Sequence, residues 1–279
     1  MSEKIQATTT DGVKDTSFWQ RIFSGKFRQS LANFFDEVGQ LTMFTGKFFK
    51  ELVTPPYEIN EFLKQCYWIG NMSLPLVGIT AFIMGLVFTM QSRPTLAKFG
   101  AESWLPAMVS VAMVREIAPV ITGLIVAGKV GSGIGAELAS MRVTEQIDAL
   151  EVSGNRPLKY VVVTRVLACI LMVPLLVLFA DGIAMMGSYL GVNLTDKTTL
   201  RLFFSHVFSA LDFIDIFPAF IKTFFFGLAI GIISCYKGYN ANSGTEGVGR
   251  AANSAVVVAS LMIFIIDMIA VQVSDLFMK

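Results

Sequence analysis

The chain has 279 residues, 54% of them hydrophobic and only 15% charged. That is too apolar for an ordinary soluble domain, and the apolar residues come in long blocks, so the sequence specifies an integral membrane protein. A formal net charge of +1 leaves no basic stripe for nucleic acid once the loops are separated.

Residues 1–16 are polar and threonine-rich, and disorder is the expectation for them. Met1–Asp15 has no apolar core before a small-residue cleavage site, so it does not read as a secretory signal, and the first true span is expected to direct insertion. From Phe18 to Leu52 the pattern turns amphipathic. Phe23, Phe27, Leu31, Phe34, Val38, Leu41 and Phe48 recur at helical spacing, with Lys26, Arg28, Lys47 and Lys50 among the polar positions. A basic, phenylalanine-lined helix suits a membrane surface better than a span, so residues 17–57 read as an interfacial helix region. Packing of that helix against the rest of the protein is compatible with this.

Five spans of about 20 residues or more follow, at roughly 66–90, 104–128, 161–191, 214–236 and 255–277. The predicted fold is therefore an all-α membrane protein. Lys64 stands just before the first span, where a snorkelling anchor is the simple reading. Tyr67 and Trp68 read as interfacial anchors and Pro75 as a bend. Gln91–Ser103 reads as a short polar link. The run Val161–Gly191 is longer than a crossing needs, and tilts or breaks near Asp181-Gly182 without becoming two spans. Val192–Phe213 and Lys237–Ser254 read as loops. Basic residues orient the whole: 15 Lys and Arg fall in the segments on the N-terminal side and 5 in the alternating ones, which predicts a cytoplasmic N-terminus and a periplasmic C-terminus.

Between the second and third spans lies Gly131–Pro157, GSGIGAELASMRVTEQIDALEVSGNRP. Thr144 is placed to cap a helix, Glu145 sits where a helix N-terminus favours negative charge, and Gly154 with Pro157 supplies a stop. A two-turn helix at about Thr144–Ser153 follows. Ile147 and Leu150 share one face of it, and Glu145 and Asp148 point away. GSGIGA superficially resembles a dinucleotide fingerprint, but it follows a membrane span rather than a strand, so close helix packing or a flexible exit from the span is the better reading.

No catalytic constellation emerges. His206 is the single histidine, which excludes a histidine triad and disfavours a histidine metal site. Cys66, Cys169 and Cys235 lack CxxC spacing and read as buried thiols. There is no GxxxxGK[ST] loop, so this chain does not supply ATP hydrolysis by that route. The stronger signal is charge inside the spans: Arg115, Glu116, Lys222 and Asp267, with Asp181 a fifth, unplaced acid. A central charge costs roughly 2.5–3.5 kcal/mol on insertion scales, so it is usually paired or faces water. The four residues either neutralise one another to hold helices together or line a polar cavity.

The run AGKVGSGIGAELASMRVTEQIDALEVSGNRPLKY resembles the signature of the MlaE/YrbE family, permease subunits of MCE-type ABC transporters. Similarity extends from about Glu58 to Phe277, including REIAP at Arg115–Pro119 and a lysine in the fourth span. Where the family usually has Pro-Arg this chain has Thr164-Arg165, which bears on the path into the third span. The resemblance implies a homodimer with ten spans and a separate ATPase on each protomer. Glu145, Gln146, Asp148, Leu150 and Glu151 would form the coupling surface, and Arg115, Glu116, Lys222 and Asp267 would lie around the substrate route. It implies no cofactor in this chain, ATP and Mg being held by the ATPase. The implied cargo is a lipid, usually phospholipid, exchanged with a periplasmic MCE-domain protein from the bacterial inner membrane, in some assemblies with a STAS-domain regulator. A rival reading is an ion-coupled secondary transporter using Glu116 or Asp267, but no internal repeat supports it. A membrane scaffold is a third.

Overall fold

In the computed structural model the backbone is described for residues 14–55, 58–194, 198–241 and 244–278. Every regular element among these is helical. The helices are α1 (Lys14–Val53), α2 (Ile59–Lys98), α3 (Glu102–Val143), α4 (Gln146–Val152), α5 (Leu158–Asn193), α6 (Leu200–Ala210), α7 (Phe213–Tyr239) and α8 (Thr245–Met278). Five of them, α2, α3, α5, α7 and α8, are long and apolar enough to cross a membrane. The all-α class and the count of five stand. Residues up to Phe49 and residues from Lys50 onward form two compact units. The first consists of the body of α1, which already includes Lys14–Thr16, and the disorder expected before it lies outside the described residues.

Several boundaries move, each for a physical reason. The link expected at Gln91–Ser103 is largely helix, because α2 runs to Lys98 and stops only where Gly100, at φ 64°, closes the end. There the Ala101 amide donates to the Leu96 carbonyl and the Gly100 amide to that of Ala97, a pattern that needs a left-handed residue. The region expected as the loop Val192–Phe213 contains α6, whose Phe203 and Val207 are buried. The loop expected at Lys237–Ser254 is short, since α8 begins at Thr245. Within α5 the helix passes unbroken through Asp181-Gly182.

The largest departure is α3, which continues through the glycine-rich run to Val143 as one rod containing two π-helical turns, Met113–Ile117 and Ala127–Gly131. Glycine weakens a helix by ~1 kcal/mol per residue, but here packing compensates. A Cβ at Gly131 would lie 3.0 Å from Ser234 Oγ, one at Gly133 3.0 Å from the Trp68 ring, and one at Gly135 3.2 Å from Ala255. Close packing is thus borne out and the flexible exit is not. Trp68, expected as an interfacial anchor, packs on α3, while Tyr67 is 71% exposed. The seam between α2 and α5 is tighter still: a Cβ at Gly85 would sit 2.0 Å from the Ala184 carbonyl oxygen, and one at Gly187 2.1 Å from that of Phe82. Beside them the buried Thr89 hydroxyl donates to Ser188 Oγ at 2.7 Å. The three cysteines are buried and free.

Candidate functional site

Three of the charged residues of the spans converge. Glu116 lies 14 residues into α3, Lys222 nine into α7, and Asp267 nine before Leu276 near the end of α8. At ~1.5 Å per residue each is about 14–21 Å from the same face of the bundle. Lys222 Nζ donates to Glu116 Oε2 at 2.7 Å and to Asp267 Oδ1 at 2.8 Å. The lysine side chain is 4% exposed, that of Asp267 18% and that of Glu116 43%. Arg115 pairs with Asp215 at 3.4 Å.

Local sequence explains the geometry on α3. Pro119 has no amide to offer the Arg115 carbonyl, so the preceding turn widens to π and the Ala118 amide reaches Met113. That turn carries Arg115 and Glu116 side by side into a small open cleft, lined also by Asp215, Pro218, Lys222 and Ser274. Mutual neutralisation and a polar lining, alternatives in the sequence, coexist here: Lys222 is sealed between two acids, and Glu116 stays half open to the cleft. Asp215 was missed by sequence reasoning. Its signal was the Asp212-x-x-Asp215 pattern at the start of α7, a capping box in which each carboxylate accepts the other residue's amide. Asp181 joins none of this, and its buried Oδ1 makes no hydrogen bond among the described residues.

At the opposite end of α3 is the short helix α4. It spans Gln146–Val152, and its N-cap is Glu145 in a left-handed conformation at φ 58°. The capping role expected of Thr144 fails: its hydroxyl donates back to the Ser140 carbonyl at 2.8 Å, finishing α3. The stop at Gly154 (φ 79°) holds, with the Asn155 amide on Leu150 and that of Gly154 on Glu151. Ile147 is wholly buried and Leu150 half-buried, while Glu145, Gln146, Asp148 and Glu151 are exposed. The two faces are as the spacing required. Two further features emerge only in three dimensions. Asp148 is already paired with Arg142 on α3, and Val152 ends the helix 90% exposed.

Around α4 two more ion pairs join separate elements. Arg156 contacts Glu51 in the last turn of α1 at 3.4 Å, and Arg165 Nη2 donates to Glu137 Oε1 at 2.7 Å. Thr164 follows a π turn at Leu158–Val163 and donates to the Tyr160 carbonyl at 2.7 Å, so the third span enters as continuous helix despite lacking the expected proline. Lys64 is 74% exposed and 3.5 Å from Glu61.

Comparison with known proteins agrees with this architecture. The family described as Permease MlaE matches residues 62–273. A probable ABC transporter permease protein of Rickettsia felis is 40% identical over 247 residues, covering 88% of this chain and 94% of that protein. One from Synechocystis is 35% identical over 244 residues, covering 85% and 90%. A third, from Pyropia yezoensis, is 35% identical over 225 residues, covering 80% and 86%. Matched along nearly their whole length by relatives of one kind, the five apolar helices are those of a multi-pass permease subunit of an ABC transporter, and the chain belongs to the MlaE permease family.

Proposed function

We propose that this subunit moves lipid, in the first instance phospholipid, between the bacterial inner membrane and a periplasmic MCE-domain protein, in the service of outer-membrane lipid homeostasis. The observation that carries the reading is the half-open charge cluster. Lys222 holds Glu116 and Asp267, Arg115 holds Asp215, and the five residues together carry a formal charge of −1 around a cleft whose other lining is largely apolar. A headgroup bearing both charges finds partners of both signs there, and the exposed apolar flanks of the spans suit acyl chains.

In this reading two copies of the chain form a ten-span homodimer with the cargo route between them. The basic asymmetry of the segments supports a cytoplasmic α4 and N-terminus and a periplasmic C-terminus, with α1 read as lying along the inner face of the membrane and Lys64 at that interface. The exposed face of α4, Glu145, Gln146 and Glu151 with Val152 at its tip, docks on an ATPase subunit that holds ATP and Mg. Asp148, exposed and bonded to Arg142, and the half-buried Leu150 complete the coupling surface. A STAS-domain regulator is a further candidate member of the assembly.

The test is purification from native membranes with co-purifying subunits, identification of those subunits by mass spectrometry, and measurement of bound phospholipid. Glu116→Gln should leave the ATPase bound and change lipid occupancy at least severalfold. No phospholipid in the wild-type complex, or identical lipid in the variant, would refute the cargo role.

A further inference from the structure

Two left-handed joints flank α4: Glu145 at φ 58° and Gly154 at φ 79°. The seven-residue helix between them is bonded to the end of α3 through Asp148 and Arg142, so a push on it reaches α3 directly and reaches α5 only through whatever ties α5 to α3. Something must fasten the helices that flank it. Glu137 lies on α3 eight residues before the first joint, and Arg165 lies on α5 eleven residues past the second. The Arg165 side chain is 5% exposed. Its Nη2 donates to Glu137 Oε1 at 2.7 Å and its Nη1 to the Val161 carbonyl, in the π turn that opens α5, at 2.8 Å. The third helix meets them at the same level: a Cβ at Gly231 of α7 would sit 2.9 Å from Val166 Cα, and one at Gly238 2.7 Å from both the Gly135 carbonyl oxygen and Leu138 Cβ.

We infer that Arg165 is a positioning residue whose bond to Glu137 ties α3 to α5 as a single lever, so that displacement of α4 drives both spans and not α3 alone. The physical grounds are three. A buried guanidinium that leaves its carboxylate is stranded in an apolar junction, where Arg165 Nε already has no hydrogen-bond partner. The arginine end of the pair is buried while Glu137 is half exposed, so salt screens the bond less than it would a fully exposed pair. The planar fork serves Val161 and Glu137 at once, which a lysine ammonium on a flexible stem does not reproduce. This inference rests on the proposed docking of an ATPase at α4.

The experiment uses the complex with its co-purified ATPase, reconstituted in vesicles of phosphatidylethanolamine and phosphatidylglycerol carrying a fluorescent phosphatidylglycerol. The readout is fluorescent lipid released per ATP hydrolysed, with pull-down of the ATPase alongside. Glu137→Gln and Arg165→Lys should keep the ATPase bound and hydrolysis within about twofold, while lipid per ATP falls about three- to tenfold. Because Glu137 is half exposed, its neutral variant is the one expected to fold most readily. Unchanged lipid per ATP in both variants overturns the inference. Loss of the ATPase from either pull-down also overturns it, since the pair would then shape the docking surface, and so does failure of both variants to assemble, since the pair would then serve stability alone. A wild-type complex without an ATPase overturns the docking reading beneath it, and this inference with it.

Discussion

Removing the Lys222 charge separates cargo chemistry from helix packing. Glu116 and Asp267 touch the same ammonium at 2.7 and 2.8 Å, so their contacting oxygens are no more than 5.5 Å apart. In Lys222→Met these two carboxylates face each other without a cation. Unit charges at that separation repel by about 3 kcal/mol at an effective dielectric of ~20, and breaking a buried pair by deleting one partner typically costs about 3–5 kcal/mol. Glu116 is 43% exposed, so solvent screens its share and the lower end, about 3 kcal/mol, is expected. At roughly 2–4 °C per kcal/mol for a chain of this size, the apparent Tm should fall by about 6–12 °C.

The matched control is the triple variant Lys222→Met, Glu116→Gln, Asp267→Asn, which removes all three charges together. It leaves no stranded ion and should melt within about 1 kcal/mol of the wild type, because neutral side chains in place of a buried ion cluster are often tolerated. The buried thiols of Cys66, Cys169 and Cys235 make a thiol-reactive dye a suitable reporter of unfolding in detergent. If Lys222→Met melts with the wild type, or the triple variant melts with Lys222→Met, the electrostatic reasoning is wrong. Lipid content then assigns the role. A triple variant as stable as the wild type but emptied of phospholipid ties the charges to cargo, and one that keeps its lipid leaves them only a packing role.

Two further expectations follow from the geometry. Reversing Glu145 and Glu151 to Lys should weaken ATPase capture by more than about tenfold, as loss of an interface charge partner costs about 2–5 kcal/mol. Val152→Asp should do the same by burying a charge at the contact, whereas Asp148→Asn should loosen α4 through Arg142 and leave docking measurable. A pull-down of all three decides. In the seam between α2 and α5, Gly85→Ala drives a methyl to 2.0 Å from a backbone carbonyl and should cost about 1–3 kcal/mol or more. Gly128→Ala, with nothing within 4 Å, should be neutral or slightly stabilising by helix propensity. Melting both variants side by side checks whether glycine is there for close approach.

The five spans were legible because a block of 20 or more apolar residues has few other destinies, and α4 was legible because Gly154 and the 3.6-residue spacing of Ile147 and Leu150 are local signals. Its first residue was not. Thr144 reads as a cap by type, yet the chain reaches α4 through a left-handed Glu145, and that choice depends on how α3 ends against its neighbours. The continuity of α3 was hidden for a related reason: propensity speaks against helix at Gly131, Gly133 and Gly135, and only Ser234, Trp68 and Ala255, distant in sequence, reverse that preference. Lys222, Glu116 and Asp267 could be singled out one at a time, since charge in an apolar span is visible, but their meeting is a property of three helices. Arg165 was noted only as the neighbour of Thr164 where a Pro-Arg pair was expected, and Glu137 not at all, because each sits among ordinary polar neighbours at the end of a span and nothing local marks a buried arginine.

The distance between the charge cluster and the proposed docking helix sets a requirement on everything between them. From Glu116 to Thr144 the rod α3 rises about 42 Å at ~1.5 Å per residue, so a displacement at α4 reaches the charge cluster only if that rod does not bend in place. Its two π turns are where bending is easiest. The first, Met113–Ile117, holds Arg115 and Glu116 themselves, each bonded to a residue of α7. The second, Ala127–Gly131, is held by Lys129, which donates to the Met72 carbonyl of α2, and by Ser132, whose hydroxyl donates to the Gly128 carbonyl at 2.5 Å. Both weak points are therefore splinted to a neighbouring helix, while the joints at Glu145 and Gly154 lie beyond the last splint, where the Glu137–Arg165 bond begins. If an ATPase docks at α4 as proposed, the joints at its two ends are where bending is expected, and because Arg115 and Glu116 are bonded to α7, a displacement carried by α3 is expected to pass to α7 and, through Lys222 and Asp267, to α8.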